Sequence, residues 1–123
     1  MTIELDRTTV QPAITLPSDL WVRTHRPETS TAVVEVGGDL DAAGAPRLAE
    51  LLEARANSTL RRLVIDLTEV GFLSAAGLSA LEHGYLRACQ HQILCTVRVS
   101  AGSPILRTIG FFPLRFREAI EVC

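Results

Sequence analysis

The sequence has no lysine, only three cysteines and no long apolar run. All 12 basic residues are arginine, which together with frequent alanine, glycine and proline indicates a GC-rich genome. No stretch approaches the about 18 apolar residues of a membrane-spanning helix, and no basic segment with a following apolar run marks a signal peptide. We therefore expect a cytoplasmic protein whose cysteines remain free thiols.

The length of 123 residues is that of one domain. A net charge of −2 gives no electrostatic reason to expect nucleic acid as a partner, since nucleic-acid-binding domains usually carry a basic patch or a high pI. We predict one domain over residues 19–123, preceded by a loose arm or lead-in strand over residues 1–18.

The side-chain patterns of common catalytic and metal sites are missing. His25, His83 and His91 lack the spacing of a metal-ligand pair, and the sequence contains neither a G-x-S-x-G motif nor a glycine-rich phosphate loop. Asp39 and Asp41 could form an acid/base pair, but capping at the start of a helix is the ordinary use of carboxylates placed there. We expect no enzyme activity, no metal and no cofactor.

Hydrophobic periodicity predicts alternating strands and helices. Short apolar runs predict strands at 20–24, 32–36, 63–67 and 93–99, and a short C-terminal piece follows at 114–122. Helical spacing predicts helices that begin at Pro46, at Ser74 and at Ser103. The predicted fold is α/β, with a mixed, mostly parallel sheet, an initial antiparallel hairpin and helices packed on the sheet. The strand at 63–67 is predicted to be covered on both faces.

Two segments together resemble the STAS domain of sulphate transporters and anti-sigma factor antagonists. They are residues 38–48 (GDLDAAGAPRL) and 63–78 (LVIDLTEVGFLSAAGL). The order of strands and helices also agrees, and the resemblance extends from about residue 20 to the C-terminus. It implies a STAS-like fold and a bacterial regulator of transcription, with roles in stress response, that works by protein binding.

The resemblance also implies a partner switch. An unphosphorylated antagonist of this family binds an anti-sigma factor that is also a serine kinase, and the sigma factor is released. Phosphorylation of a serine at the start of the second long helix abolishes that binding, because the added charge must be buried or paired in the interface. The family motif Asp-Ser-Ser/Thr-Gly is here Ser74-Ala75-Ala76-Gly77, so Ala75 stands at the phosphoacceptor position and Ser74 replaces the aspartate.

We expect the partner, a serine-kinase-type anti-sigma factor, to bind at the start of that helix and the preceding loop. Small residues there allow close contact, and the two aspartates can face a basic patch. No nucleic acid or membrane is expected as a direct partner, and a homodimer remains open. The predicted partner-binding residues are Asp39, Asp41, Ser74, Ala75, Ala76, Gly77, Ser79 and His83.

Loss of the acceptor serine leaves the control of binding open. The protein is either locked in its binding-competent form or controlled by other means. Ser74 could be a displaced phosphosite, although helix capping explains it. Redox control through the cysteines is another hypothesis, in which Cys89 lies on the core stripe of the second helix, Cys95 lies in a buried strand, and Cys123 is exposed.

Other functions are also open at this stage. STAS-like chains serve as structural subunits of stress-sensing assemblies and of lipid-transport ATPase complexes. A small-ligand sensor is a further possibility, but the sequence has no phosphate-binding motif to support it.

Overall fold

The computed structural model describes residues 14–15 and 19–123. The predicted arm at residues 1–18 therefore lies outside the described residues, except for Ile14–Thr15. Those two residues form a short strand at one edge of the sheet.

Strands and helices alternate after an initial hairpin, as predicted. The described strands are β1 (Ile14–Thr15), β2 (Trp21–Glu28), β3 (Thr31–Leu40), β4 (Arg62–Leu73), β5 (Leu94–Val99) and β6 (Ile120–Val122). The helices are α1 (Ala45–Ala56), α2 (Ala75–Gln90), α3 (Pro104–Gly110) and a 3-10 helix (Arg115–Ala119).

The strands lie in the sheet in the order in which they occur in the chain. The β1–β2 and β2–β3 pairs are antiparallel, and the β3–β4, β4–β5 and β5–β6 pairs are parallel. Each parallel pair needs a crossover, and α1, α2 and α3 supply them. The predicted mixed, mostly parallel sheet with an initial hairpin is confirmed.

The hydrophobic core lies between the helices and one face of the sheet. Alternate residues of the central strands, such as Val34 and Ile65, are buried there together with Leu52, Leu81 and Phe116 from the helices.

Leu63, Ile65 and Leu67 are buried under the helices, and Val64 on the opposite face is also buried, while Asp66 there is half-buried. The prediction that the strand at 63–67 is covered on both faces therefore holds except at Asp66. The opposite face carries a row of charged residues in register across the sheet: Arg23, Glu35, Asp66, Arg98 and Glu121. Arg23 Nε donates to Glu35 Oε1 at 2.8 Å. Asp66, the single acidic residue in an otherwise apolar run, therefore lies on the face of the strand that is more accessible to solvent. Helices cover the other face.

Both central strands are longer than their apolar runs. β3 continues through Gly37 and Gly38 to Leu40, and β4 continues to Leu73, with two register shifts along the pair. Gly38 has φ +88°, and a Cβ on Gly37 would lie 2.2 Å from the Trp21 ring. The two glycines therefore let the strand bend past β2 where a side chain would clash.

The C-terminal segment is anchored to α2. The Glu82 carboxylate accepts hydrogen bonds from the backbone N–H groups of Arg115 and Phe116 at 2.7–3.0 Å, and Phe116 is fully buried. Phe111 and Phe112, which precede it, are exposed. None of the helices in the described part of the chain is long and apolar enough to cross a membrane.

Candidate functional site

The ends of β3 and β4 meet at the N-terminus of α2. The backbone N–H of Ser74 donates to the carbonyl of Leu40 at 2.9 Å, which joins the two chain segments of the predicted partner surface. Ser74 Oγ accepts a hydrogen bond from the backbone N–H of Gly77 at 3.0 Å. The predicted N-cap is confirmed, and the Ser74 hydroxyl oxygen stabilises the first turn of α2.

Gly77 packs inside the molecule. A Cβ at this position would lie 2.7 Å from Leu40 Cγ and 2.8 Å from the Leu40 carbonyl oxygen. The glycine is buried and lets α2 approach the end of β3 closely. Its contact is therefore with this chain's own strand, while Ala75 and Ala76 beside it are exposed and half-exposed.

Asp39, near the end of β3, and Asp41, in the loop before α1, differ in their contacts. Asp41 Oδ1 accepts from the backbone N–H groups of Ala43 and Gly44 at 3.0 and 3.3 Å, so its carboxylate orders the turn before α1. Asp39 is exposed, and no side-chain hydrogen bond to it is found among the described residues. Asp39 is therefore the carboxylate that is available to a partner.

An exposed aromatic residue lies beside Asp39. Phe72 is the register partner of Asp39 on β4, and 52% of its surface is accessible. Sequence reasoning placed it in the family-like segment but did not single it out as a site residue. The sequence carried no clear signal for this exposure, because the side that Phe72 faces depends on the register shifts between β3 and β4, which only the structure shows.

A groove separates the first halves of α1 and α2. Its volume is about 470 Å³, and alanine side chains make most of its walls. Ser79 is exposed at the groove, and His83 closes it at its far end. The lining residues are Ala42, Ala45, Pro46, Ala49, Ala76, Ser79, Ala80 and His83. Three of the predicted partner-binding residues, Ala76, Ser79 and His83, are thus brought together in one groove.

His83 belongs to a polar network that ties α2 to α1. Its Nε2 lies 3.0 Å from Glu53 Oε1, and the Arg87 guanidinium lies 2.9 Å from Glu53 Oε2. Arg87 also donates to Asn57 Oδ1 and Gln90 Oε1. The hydrogen bond from His83, followed by the charge and hydrogen bond of Arg87, lowers the pKa of Glu53 below its usual value of 4.5 against the opposing effect of desolvation.

The three cysteines are free thiols with different surroundings. Cys95 is buried and Cys123 is exposed, as predicted. The placement of Cys89 on the core stripe was wrong, because this residue is exposed. The reason is that α2 packs on α1 as well as on the sheet, so its buried side includes Gly84 and excludes Cys89.

The environment of the Cys95 thiol disfavours its reactive, deprotonated form. Burial, with a smaller contribution from nearby Cys89, raises its pKa to about 12. The thiolate is the reactive form of cysteine, so Cys95 reacts slowly while the fold is intact. Within residues 14–15 and 19–123, no three His, Cys, Asp or Glu side chains are grouped to hold a metal ion.

Sequence comparison places most of the chain within one family. A family model described as "Mlab, STAS domain" matches residues 24–109. No curated protein matches the sequence at a significant level.

Solved structures with the same fold include anti-sigma factor antagonists. An anti-sigma factor antagonist from Mycobacterium paratuberculosis is similar with a TM-score of 0.63 and 24% identity, over 82% of this chain and 89% of that chain. The Bacillus cell fate determinant SpoIIAA in its phosphorylated form is similar with a TM-score of 0.65 and 11% identity, over 83% and 90%. The unphosphorylated anti-sigma factor antagonist SpoIIAA gives 0.58 and 13%, over 76% and 84%. At these identities the likeness shows a shared fold.

Proposed function

The chain belongs to the STAS domain family, and on that premise we propose that it is an anti-sigma factor antagonist, which binds an anti-sigma factor of the serine-kinase type and thereby frees a sigma factor. The observation that carries the proposal is the exposed small-residue surface at the start of α2. Ala75 is exposed there, the alanine groove opens beside it, and Phe72 and Asp39 lie on the adjacent strand ends.

This surface combines one exposed aromatic residue with several small residues and a charge at its edge. Phe72 offers a large apolar contact, the alanines allow a partner backbone to approach closely, and Asp39 supplies a charge at the rim. Of the residues predicted to bind the partner, Ala75, Ala76, Ser79, His83 and Asp39 are accessible in this arrangement.

Phosphorylation in the usual family manner is not available to this chain. Ala75 has no hydroxyl, and the hydroxyl of Ser74 has a structural use as the cap of α2, where its oxygen accepts from Gly77. We therefore propose that ATP does not switch off binding, and that the protein stays in its binding-competent form.

A titration against each kinase-type anti-sigma factor of the same genome tests this proposal. We expect tight binding to one of them, unchanged by ATP. Ala75→Glu should weaken that binding at least about tenfold, since it buries an unpaired charge. The matched control is Ala54→Glu, because Ala54 is an exposed alanine on α1 outside the groove lining. Normal binding by Ala75→Glu would show that the surface is misplaced.

Restoring the acceptor gives a second test. We expect Ala75→Ser to bind as the wild type does without ATP, and to gain one phosphate and lose binding when kinase partner and ATP are present. The measurement is intact mass together with affinity. An Ala75→Ser variant that binds but is never phosphorylated would contradict the kinase type of the partner.

Redox control would have to act through the accessible thiols. Cys89 and Cys123 are exposed, whereas Cys95 is buried and protonated. We propose that an oxidant reaches Cys89 and Cys123 before Cys95. Equal affinity for the anti-sigma factor in reduced and oxidised samples would exclude redox control and leave the antagonist role intact.

A permanent subunit of a larger complex is the second candidate function. Ala75 favours it as well, because a subunit of a stress-sensing or lipid-transport ATPase assembly does not need a phosphorylation switch. The two functions differ in their partner. Failure to bind any kinase-type anti-sigma factor, with co-purification in an ATPase complex, would favour the subunit role.

A further inference from the structure

Four arginines surround the turn between β2 and β3, at the end of the molecule opposite to the α2 N-terminus. Arg26 lies near the end of β2, Arg55 in the last turn of α1, and Arg61 and Arg62 at the start of β4. The backbone N–H groups of Arg61 and Arg62 both donate to the Ser30 carbonyl, at 2.8 and 3.1 Å. We call these four residues the arginine end.

Most of the other described arginines have a carboxylate partner, whereas these four have none among the described residues. Arg23, Arg47, Arg87, Arg98 and Arg115 each form an ion pair with a glutamate. Among the described residues, no ion pair involves the arginine end. Within the part of the chain that the structure describes, Arg26 donates to the carbonyl of Thr29 alone, and the buried Nε of Arg55 has no hydrogen-bond partner.

The fold accounts for only part of this charge. A cation in the last turn of α1 is favourable beside the helix dipole, which explains Arg55. Burial, followed by repulsion from Arg26, nevertheless lowers the pKa of Arg55, so the cluster carries an electrostatic cost. Arg61 and Arg62 are exposed, and their side chains form no hydrogen bond or ion pair in the described part of the chain. Nothing in the fold requires a positive charge at these two positions.

An exposed apolar side chain adjoins the cluster. Leu94, at the start of β5, is the register partner of Arg62, and 58% of its surface is accessible. Guanidinium groups bind carboxylates in bidentate geometry, and an apolar neighbour provides a contact for a side chain of the same ligand. An acidic protein segment is the favoured ligand class, because its apolar side chains can contact Leu94 beside the guanidinium groups, whereas a nucleic-acid duplex presents a charged phosphate backbone there.

We propose that the arginine end is a second binding surface, which takes an acidic protein segment that also carries apolar side chains. β3 has 10 residues and runs from this end to the α2 N-terminus. At about 3.3 Å per residue, the two surfaces lie about 30 Å apart. A segment bound at the arginine end therefore leaves the surface around Ala75 free.

The test measures binding of a fluorescein-labelled peptide of glutamate and leucine residues by fluorescence anisotropy at two salt concentrations. We expect the wild type to bind, with weaker affinity at higher salt. Arg61→Gln/Arg62→Gln should reduce affinity about tenfold or more, as expected for the loss of charge-assisted hydrogen bonds. Its thermal midpoint should stay the same or rise, because like-charge repulsion is relieved.

The matched control is Arg107→Gln/Arg117→Gln, which removes the same charge from two other arginines without an ion pair among the described residues. It should bind the peptide as the wild type does. An equal loss of peptide affinity in both double variants would show that the effect comes from net charge alone, and it would overturn the proposal. So would tighter binding of a DNA duplex than of the peptide, or no peptide binding at all. If the double variant does not fold, Arg61→Gln alone should give a smaller loss in the same direction, and an unchanged affinity would also overturn the proposal.

Discussion

The two long helices are joined along one half of their length and separated along the other. In their C-terminal halves, a Cβ on Gly84 would lie 2.7 Å from Leu52, and Glu53 bridges His83 and Arg87. We call this the closed half of the helix pair. In their N-terminal halves, which we call the open half, alanines line a groove between the helices. The same kind of small residue therefore has opposite consequences: a glycine opposite a leucine closes the contact, whereas alanines opposite alanines leave a gap. The closed half holds the helices in place, while the open half is part of the surface that we propose for the partner.

The largest expected effect comes from enlarging a residue in the closed half. Gly84→Val should lower the free energy of unfolding by about 1–3 kcal/mol, because the added methyl groups clash with Leu52 and α1 must shift. Ala49→Val, on the groove wall, should cost less than about 1 kcal/mol, since space is available there. Urea denaturation measures both. Equal costs would contradict the contrast between the two halves.

An intermediate effect on stability is expected at Ser74, where the N-terminus of α2 is hydrogen-bonded to the end of β3. Ser74→Ala removes the cap of α2 and should cost about 1 kcal/mol. Ser79→Ala on the same helix is the control, because Ser79 is exposed and caps nothing, and its change should stay within about 0.5 kcal/mol. A loss for Ser74→Ala no larger than that for Ser79→Ala would mean that the cap does not hold the helix end.

The smallest effect concerns the ionic bridge of the closed half. Because the folded protein lowers the pKa of Glu53, its carboxylate stabilises the fold above the usual value of 4.5, and this contribution disappears as pH falls through the lowered pKa. Glu53→Gln should therefore lower the thermal midpoint near neutral pH and have progressively less effect under acidic conditions. Glu50→Gln, on an exposed ion pair, should change little at neutral pH. A Glu53→Gln deficit that persists at low pH would point to packing instead of charge.

Much of the fold and part of the site could be predicted because local rules determine them. Ser74 was predicted as a cap, and β2 and β3 as a hairpin, from residue type and spacing alone. Cys89 was misplaced because helical spacing identifies one buried stripe, whereas α2 is buried against two neighbours. The exposure of Phe72 was missed because it depends on how far β3 and β4 stay paired beyond their apolar runs.

Four features are already set by the amino-acid sequence: the order of strands and helices, the mostly parallel sheet, the capped start of α2 and the absence of a hydroxyl at Ala75. These features follow from periodicity, capping chemistry and side-chain identity, which are local properties of the chain. The two carboxylates differ through tertiary packing, because Asp41 is bound to its own turn, whereas no side-chain hydrogen bond to Asp39 is found among the described residues. Packing of helices and strands also forms the alanine groove and places Arg26, Arg55, Arg61 and Arg62 at one end of the molecule. Contacts between such distant segments cannot be read from local sequence patterns.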